Sequence, residues 1–286
     1  MQLRLFLGLK EGGEMQPEQN NGPHFEYANF DPLLEHMRET ELKYHTEPKL
    51  MELSATLLGF HVPETGKIDL VFDRSIFYPK GGGQPADLGT IHIRGETHNV
   101  LNVTLSPKGQ VIHTCSWPEG TLPHEGESAL LTVDNERRLL HARSHTAGHL
   151  IDLALQLSEF PLSPIKANHA PGESWVKFDA KERQLSAQEL TSLGNQIESF
   201  INRICERGAL ITAKKLDPVE ATVRGIEAPP GKSPRVVTIE GYDDYARGCG
   251  GTHVESTNQI GDITISRVGL KKSVLTITYQ IETTDR

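Results

Sequence analysis

Residues 134–157, DNERRLLHARSHTAGHLIDLALQL, decide how the chain is read. Asp134 has the carboxylate that accepts free amides at a helix start. Behind it Leu139, Ala142, His149, Leu153 and Leu157 recur at helical steps and share roughly one side. The last turns are strongly apolar, which predicts a buried C-terminal half. The residues before this helix follow a different period.

Upstream, from about residue 40, apolar residues recur at every second position between turn signals. Strands are expected at 52–59, 67–72, 88–93, 98–104, 110–115 and 128–133. Many short strands at such spacing suggest a small barrel or a sandwich. Downstream, strands are expected at 165–169 and 174–179, then a helix over 186–207. Ser186 with Glu189 three residues on makes a capping-box pattern, and Gly208 is placed to end the helix. Leu190, Leu193, Ile197, Phe200, Ile201 and Ile204 form its apolar stripe. Asp217-Pro218 starts a short third helix. The remaining strands are expected at 235–240, 260–267 and 273–282, the last two as a hairpin across Gly269-Leu270-Lys271-Lys272.

The fold class is therefore α+β: a small β-barrel-like N-terminal module over 40–130, with a glycine-rich motif, followed by a two-layer α/β module over 131–286. Residues 1–39 read as a mobile leader with a late anchoring segment, because 10–32 are rich in Gly, Pro, Asn and Gln without a period. The N-terminal residues lack the long apolar centre of a secretory signal and the arginine-rich, acid-poor character of a mitochondrial one. No run of eighteen apolar residues exists, which excludes a transmembrane helix. A net charge of −9 argues against coating nucleic acid or anionic membrane by bulk charge, though not against local basic patches. Three cysteines are too few and too odd for a disulfide framework, so a reducing, cytoplasmic setting is expected.

Thirteen histidines are the unusual count. His141, His145 and His149 stand four apart on one helix face. Two imidazoles so spaced can reach one zinc ion, but three cannot, since the outer pair lies about 12 Å apart along the axis. One outer histidine is thus a bystander, and spacing leaves open which. Cys249 and His253, in ARGCGGTHVEST, can supply the remaining ligands. Chance spacings of this kind are common, with His-x-x-x-His expected about 0.5 times in such a chain. The glutamate of His-Glu-x-x-His is missing, so a metalloprotease of that type is unsupported. In FYPKGGGQPADLGTI, residues 77–91, three glycines allow a tight turn that approaches a ligand closely. A plain hairpin loop is the blander reading of the same run.

Together, SHTAGHLIDLAL, GCGGTHVEST and FYPKGGGQPADLGTI resemble the alanyl-tRNA editing family, free-standing relatives of the editing domain of alanyl-tRNA synthetase. The resemblance runs from about residue 40 to 282 and takes in ANHAPGESWVKF. It implies one zinc ion per chain held by His145, His149, Cys249 and His253, leaving His141 the bystander. It further implies a zinc-binding editing domain over 131–286 and a deacylase acting on the 3′ end of tRNA that carries the wrong amino acid. The implied substrate is alanine tRNA carrying serine, with glycine as a second candidate. Gly82, Gly83, Gln84 and Thr252 are the implied substrate-binding residues. Rival readings are a seryl-threonine-tRNA deacylase and a non-catalytic protein with a structural zinc. Four protein ligands fill a tetrahedral ion, so one of the four is expected to lie outside the shell or to yield to substrate. RNA contact is expected at Arg137, Arg138 and Arg143, at Lys214 and Lys215, or at Lys271 and Lys272.

Overall fold

The computed structural model describes residues 31–118, 120–159, 161–181, 183–226 and 233–282. Residues 1–30 of the expected leader lie outside these. Its last residues are fastened down. Leu34 is buried against Val71, and the Gln110 amide donates to the carbonyls of Leu34 and Met37 at 3.2 and 2.8 Å.

Six strands then close a barrel: β1 (Glu52–His61), β2 (Lys67–Phe72), β3 (Gly89–Ile93), β4 (Glu96–Leu105), β5 (Val111–Ser116) and β6 (Ser128–Val133). Their order around the barrel is β1-β2-β5-β4-β3-β6, antiparallel throughout. Alternation drives the closure. Ile68 and Leu70, Ile91 and Ile93, and Leu131 and Val133 point inward at every second position and are buried. Closure removes the exposed edges that a sandwich would keep.

Helix α1 (Asn135–Gln156) follows, with the Asp134 carboxylate accepting from Arg137 N at 3.0 Å. Its buried residues run from Arg138 to Leu155, while Leu139 and Leu157 are 38% and 54% exposed. Those two leucines do not belong to the core. Strands β7 (Ser163–Asn168) and β8 (Trp175–Asp179) come next. Helix α2 (Ala187–Arg207) has the full Ser186–Glu189 capping box and ends on Gly208.

Strand β9 (Ile211–Lys215), helix α3 (Pro218–Val223, capped by Asp217), β10 (Arg235–Ile239) and β11 (Tyr242–Gly248) form a three-stranded sheet with its helix. Strands β12 (Ile263–Lys271) and β13 (Val274–Ile281) complete a four-stranded sheet of order β12-β13-β8-β7. The closing hairpin turns on Lys272 and Ser273, both at positive φ, as a two-residue turn requires. Gly269, Leu270 and Lys271 are paired within the strand instead of forming the turn.

Leu150, Leu153 and Leu155 of α1, Ile197 and Ile201 of α2, and Phe178, Leu275 and Ile277 of the sheet share one core. The barrel has its own. A buried ion pair links the two. Arg138 on α1 reaches Asp87 in the barrel loop, with Nε at 3.0 and 2.9 Å from the carboxylate oxygens, and donates to the Ile76 carbonyl at 2.6 Å.

Candidate metal centre

Helix α1 presents His145 and His149 on adjacent turns, and the turn after β11 brings Cys249 and His253 to meet them. The four potential ligand atoms all lie within 4.8 Å of one another. Cys249 Sγ is 3.4 Å from His145 Nε2 and 3.5 Å from His253 Nε2. A tetrahedral zinc with ordinary Zn–S and Zn–N bonds sets that edge at about 3.5 Å. His141 is buried on the same helix but stands outside this group.

The turn is shaped to allow the meeting. Arg235 donates to the carbonyls of Cys249 and Gly251 at 3.0 and 2.8 Å, and His45 Nε2 lies 2.9 Å from the Gly250 carbonyl. Position 251 has no room for a side chain, because a Cβ there would stand 2.1 Å from the His145 ring.

Neighbours fix which nitrogen of each imidazole carries the proton. Gln84 Oε1 accepts from Thr252 N at 3.0 Å and lies 2.7 Å from His145 Nδ1. That nitrogen must therefore donate, which leaves the Nε2 lone pair for the cluster. His149 Nδ1 is 2.9 Å from the Tyr245 hydroxyl, whose own proton goes to Asp152 or the His149 carbonyl. So His149 Nε2 also keeps a lone pair, and it is buried with no hydrogen-bond partner. Burial pushes His149 down to about 4, with help from Arg247 and Arg235. Burial first, then neighbouring imidazoles, hold His145 well below the ordinary histidine range, and burial likewise leads for His253. Burial raises the Cys249 thiol, against the Gly251 amide and Arg235, which lower it. Three neutral imidazoles and one thiol, with an orphaned nitrogen among them, are a donor set that fits a zinc ion.

His145, His149 and Cys249 line one side of a cavity of about 490 Å³, while His253 is not part of its wall. Gly82 and Gly83 line it too. Gly83 stands at φ +83°, and a Cβ there would meet the Ala167 carbonyl oxygen at 2.5 Å, so only glycine lets the barrel loop lie this close to β7. Gln84 and Thr252 are buried and bonded to each other, Gln84 Nε2 donating to Thr252 Oγ1 at 2.9 Å. Their polar side-chain atoms are thus engaged behind the His145 ring.

Sequence reasoning passed over His169. It lines the cavity, stacks on His145 with ring centroids 4.3 Å apart, and sits 2.7 Å from the Tyr279 hydroxyl through Nδ1. Tyr279 gives its proton to the Ser144 carbonyl at 2.8 Å, so His169 Nδ1 is the donor and Nε2 is an acceptor. Burial holds this imidazole down at about 3. ANHAPGESW showed a histidine before a turn, but nothing in it announced a partner 110 residues away. Among the basic candidates, Arg138 is spent on Asp87 and is buried, and Arg137 Nε donates to the Ala86 carbonyl at 3.3 Å. Arg138 is therefore a structural cation and not an RNA contact.

Comparison with known proteins places this geometry. Residues 235–276 match the family described as threonyl and alanyl tRNA synthetase second additional domain, and residues 15–137 match the tRNA synthetases of class II (A). The alanine–tRNA ligase of Methanopyrus kandleri is 34% identical over 238 residues, covering 81% of this chain and 25% of its own length. That of Korarchaeum cryptofilum is 34% identical over 237 residues, covering 80% and 24%. That of Thermococcus kodakarensis is 30% identical over 251 residues, covering 85% and 26%. The chain spans about a quarter of the length of the curated relatives it matches. Fold and cluster together define a protein with the second additional domain of the threonyl and alanyl synthetases. Within that class the chain belongs with the alanyl-tRNA editing relatives, since the similarity spans the barrel as well as the histidine and cysteine motifs. Among the described residues no helix is long and apolar enough to cross a membrane.

Proposed function

We propose that the protein is a cytoplasmic, zinc-dependent aminoacyl-tRNA deacylase acting in trans. Its substrate in this reading is alanine tRNA wrongly carrying serine, with glycine as a second wrong amino acid. The observation that carries the proposal is the four-residue cluster opening, through three of its members, onto a cavity walled by the barrel's glycine-rich loop. One zinc bound by His145, His149, Cys249 and His253 would supply a Lewis acid for the ester carbonyl or a site for the substrate amine.

The chain's own residues do the positioning. An aminoacyl ester is already activated, so holding it beside water in a fixed polar frame is most of the task. Gly82 and Gly83 offer bare backbone where the acyl group enters. Gln84 and Tyr245 hold His145 and His149 in one tautomer. His253 Nδ1 is buried without a hydrogen-bond partner, so His253 is the least supported of the four. Serine differs from alanine by one hydroxyl, which His169 Nε2 is placed to accept. An alanyl ester would leave that acceptor unpaired, and such a penalty discriminates strongly.

Single-turnover hydrolysis of seryl- and alanyl-alanine tRNA, with metal content measured in wild type and Cys249→Ala, tests the reading. Rapid loss of serine alone, with about one zinc per chain and an inactive variant, is expected. Bound zinc with neither ester hydrolysed would overturn it in favour of a structural zinc.

A further inference from the structure

The four-stranded sheet has two unlike faces. On one, Val176, Phe178, Leu275, Ile277 and Tyr279 are buried in the core shared with α1 and α2. The other carries the alternate residues. Register places Trp175 beside Asn168 and Thr278, and Thr278 beside Arg267. Lys177 stands beside Lys166 and Thr276, and Asp179 beside Val274, itself paired with Lys271. Residues paired across strands share a face, and these side chains are exposed or half-exposed.

The charge of this face opposes that of the chain. Lys166, Lys177, Arg267 and Lys271 stand against Asp179 alone, in a protein of net charge −9. Among the described residues none of the four cations makes an ion pair. Lys177 Nζ lies 4.5 Å from the centroid of the Trp175 ring. Two of the other basic sites are balanced. Arg138 is paired with Asp87, and Lys214 shares its groove with Glu220, Glu240 and Asp243. The basic face also leads to the metal centre, because β7 is the edge strand and its Lys166 and Ala167 line the cavity.

Resting on the deacylase reading, we propose that this face binds the single-stranded 3′ end of the RNA, with Trp175 as a stacking platform and Lys166, Lys177 and Arg267 at phosphates, and leads it over the β7 edge to the cluster. An aromatic ring among unpaired cations is the combination that holds single strands without reading their sequence. A duplex would find phosphate contacts here but no unstacked base for Trp175.

Binding of uncharged tRNA, followed by fluorescence anisotropy across a salt series, requires no hydrolysis and tests the surface directly. The Lys177→Ala/Arg267→Ala protein should bind about tenfold more weakly, with the slope of log affinity against log salt shallower by about 0.7 for each lost contact. Trp175→Ala should lose about tenfold on intact tRNA and nothing on tRNA trimmed of its single-stranded 3′ tail. Wild-type affinity in these variants would overturn the proposal. So would an equal loss in Lys214→Ala/Lys215→Ala, or an equal Trp175→Ala loss on trimmed tRNA. Tight RNA binding by a wild type that cleaves no ester would remove the deacylase reading and leave the surface standing.

Discussion

Gln84 has three polar contacts and no freedom. Its carbonyl oxygen fixes the His145 tautomer, and its amide ties Thr252 beneath the ring. Gln84→Ala should leave the fold intact but let His145 rotate, weakening zinc binding about 10–100-fold in a chelator competition. An unchanged affinity would show that the packing of the ring suffices. His169 makes a second case. His169→Gln keeps an acceptor near the Nε2 position, whereas His169→Leu removes it. The seryl-over-alanyl preference should survive in the first and fall about tenfold or more in the second. Equal loss of both esters in His169→Leu would mean that the residue only holds Tyr279 in place.

The elements differ in how plainly the sequence announces them. The six barrel strands and both long helices were legible because their periods of two and 3.6 are carried by strongly apolar residues, with Asp134, Ser186 and Gly208 marking ends. Strands β9 and β11 were not. ITAKK and YDDYARG are mostly polar, and they are strands only because β10 lies between them. The barrel also conceals a titrating group. His113 is fully buried on β5, 2.8 Å from Ser75 Oγ and 3.1 Å from the Leu70 carbonyl, and burial pushes it down to about 4. Unfolded, it would titrate near 6.5. Between those values the unfolded chain binds the extra proton, so stability falls as pH falls. His113 alone should cost about 3 kcal/mol between pH 6.5 and 4. Urea unfolding across that window should show a slope shallower by about one proton in His113→Gln, and an unchanged slope would refute the assignment.

At the scale of the molecule, the Arg138–Asp87 pair joins the barrel to α1 with both side chains buried. Arg138→Ala would strand the Asp87 carboxylate and should cost about 3–5 kcal/mol in chemical denaturation. Replacing both partners with apolar residues of similar size should recover most of it, since no charge is then left unpaired. A cost below about 1 kcal/mol in the single variant would show that water reaches Asp87 instead. The sequence marked Arg138 as a surface cation because its partner lies 51 residues away in a loop. The same distance problem hid which ring Gln84 would steady, although its motif was conspicuous. The members of the four-residue cluster were legible because each pair is local, four residues apart, and only their meeting is long-range.

That meeting has a consequence for synthesis. Gln84, His145, His149, Cys249 and His253 leave the ribosome in that order, so the pocket cannot exist until residue 253 has been made. A product cut short before residue 249 would carry a helix with two histidines and nothing to close around an ion. Among truncated products, an assembled cluster would be a certificate that translation had passed residue 253.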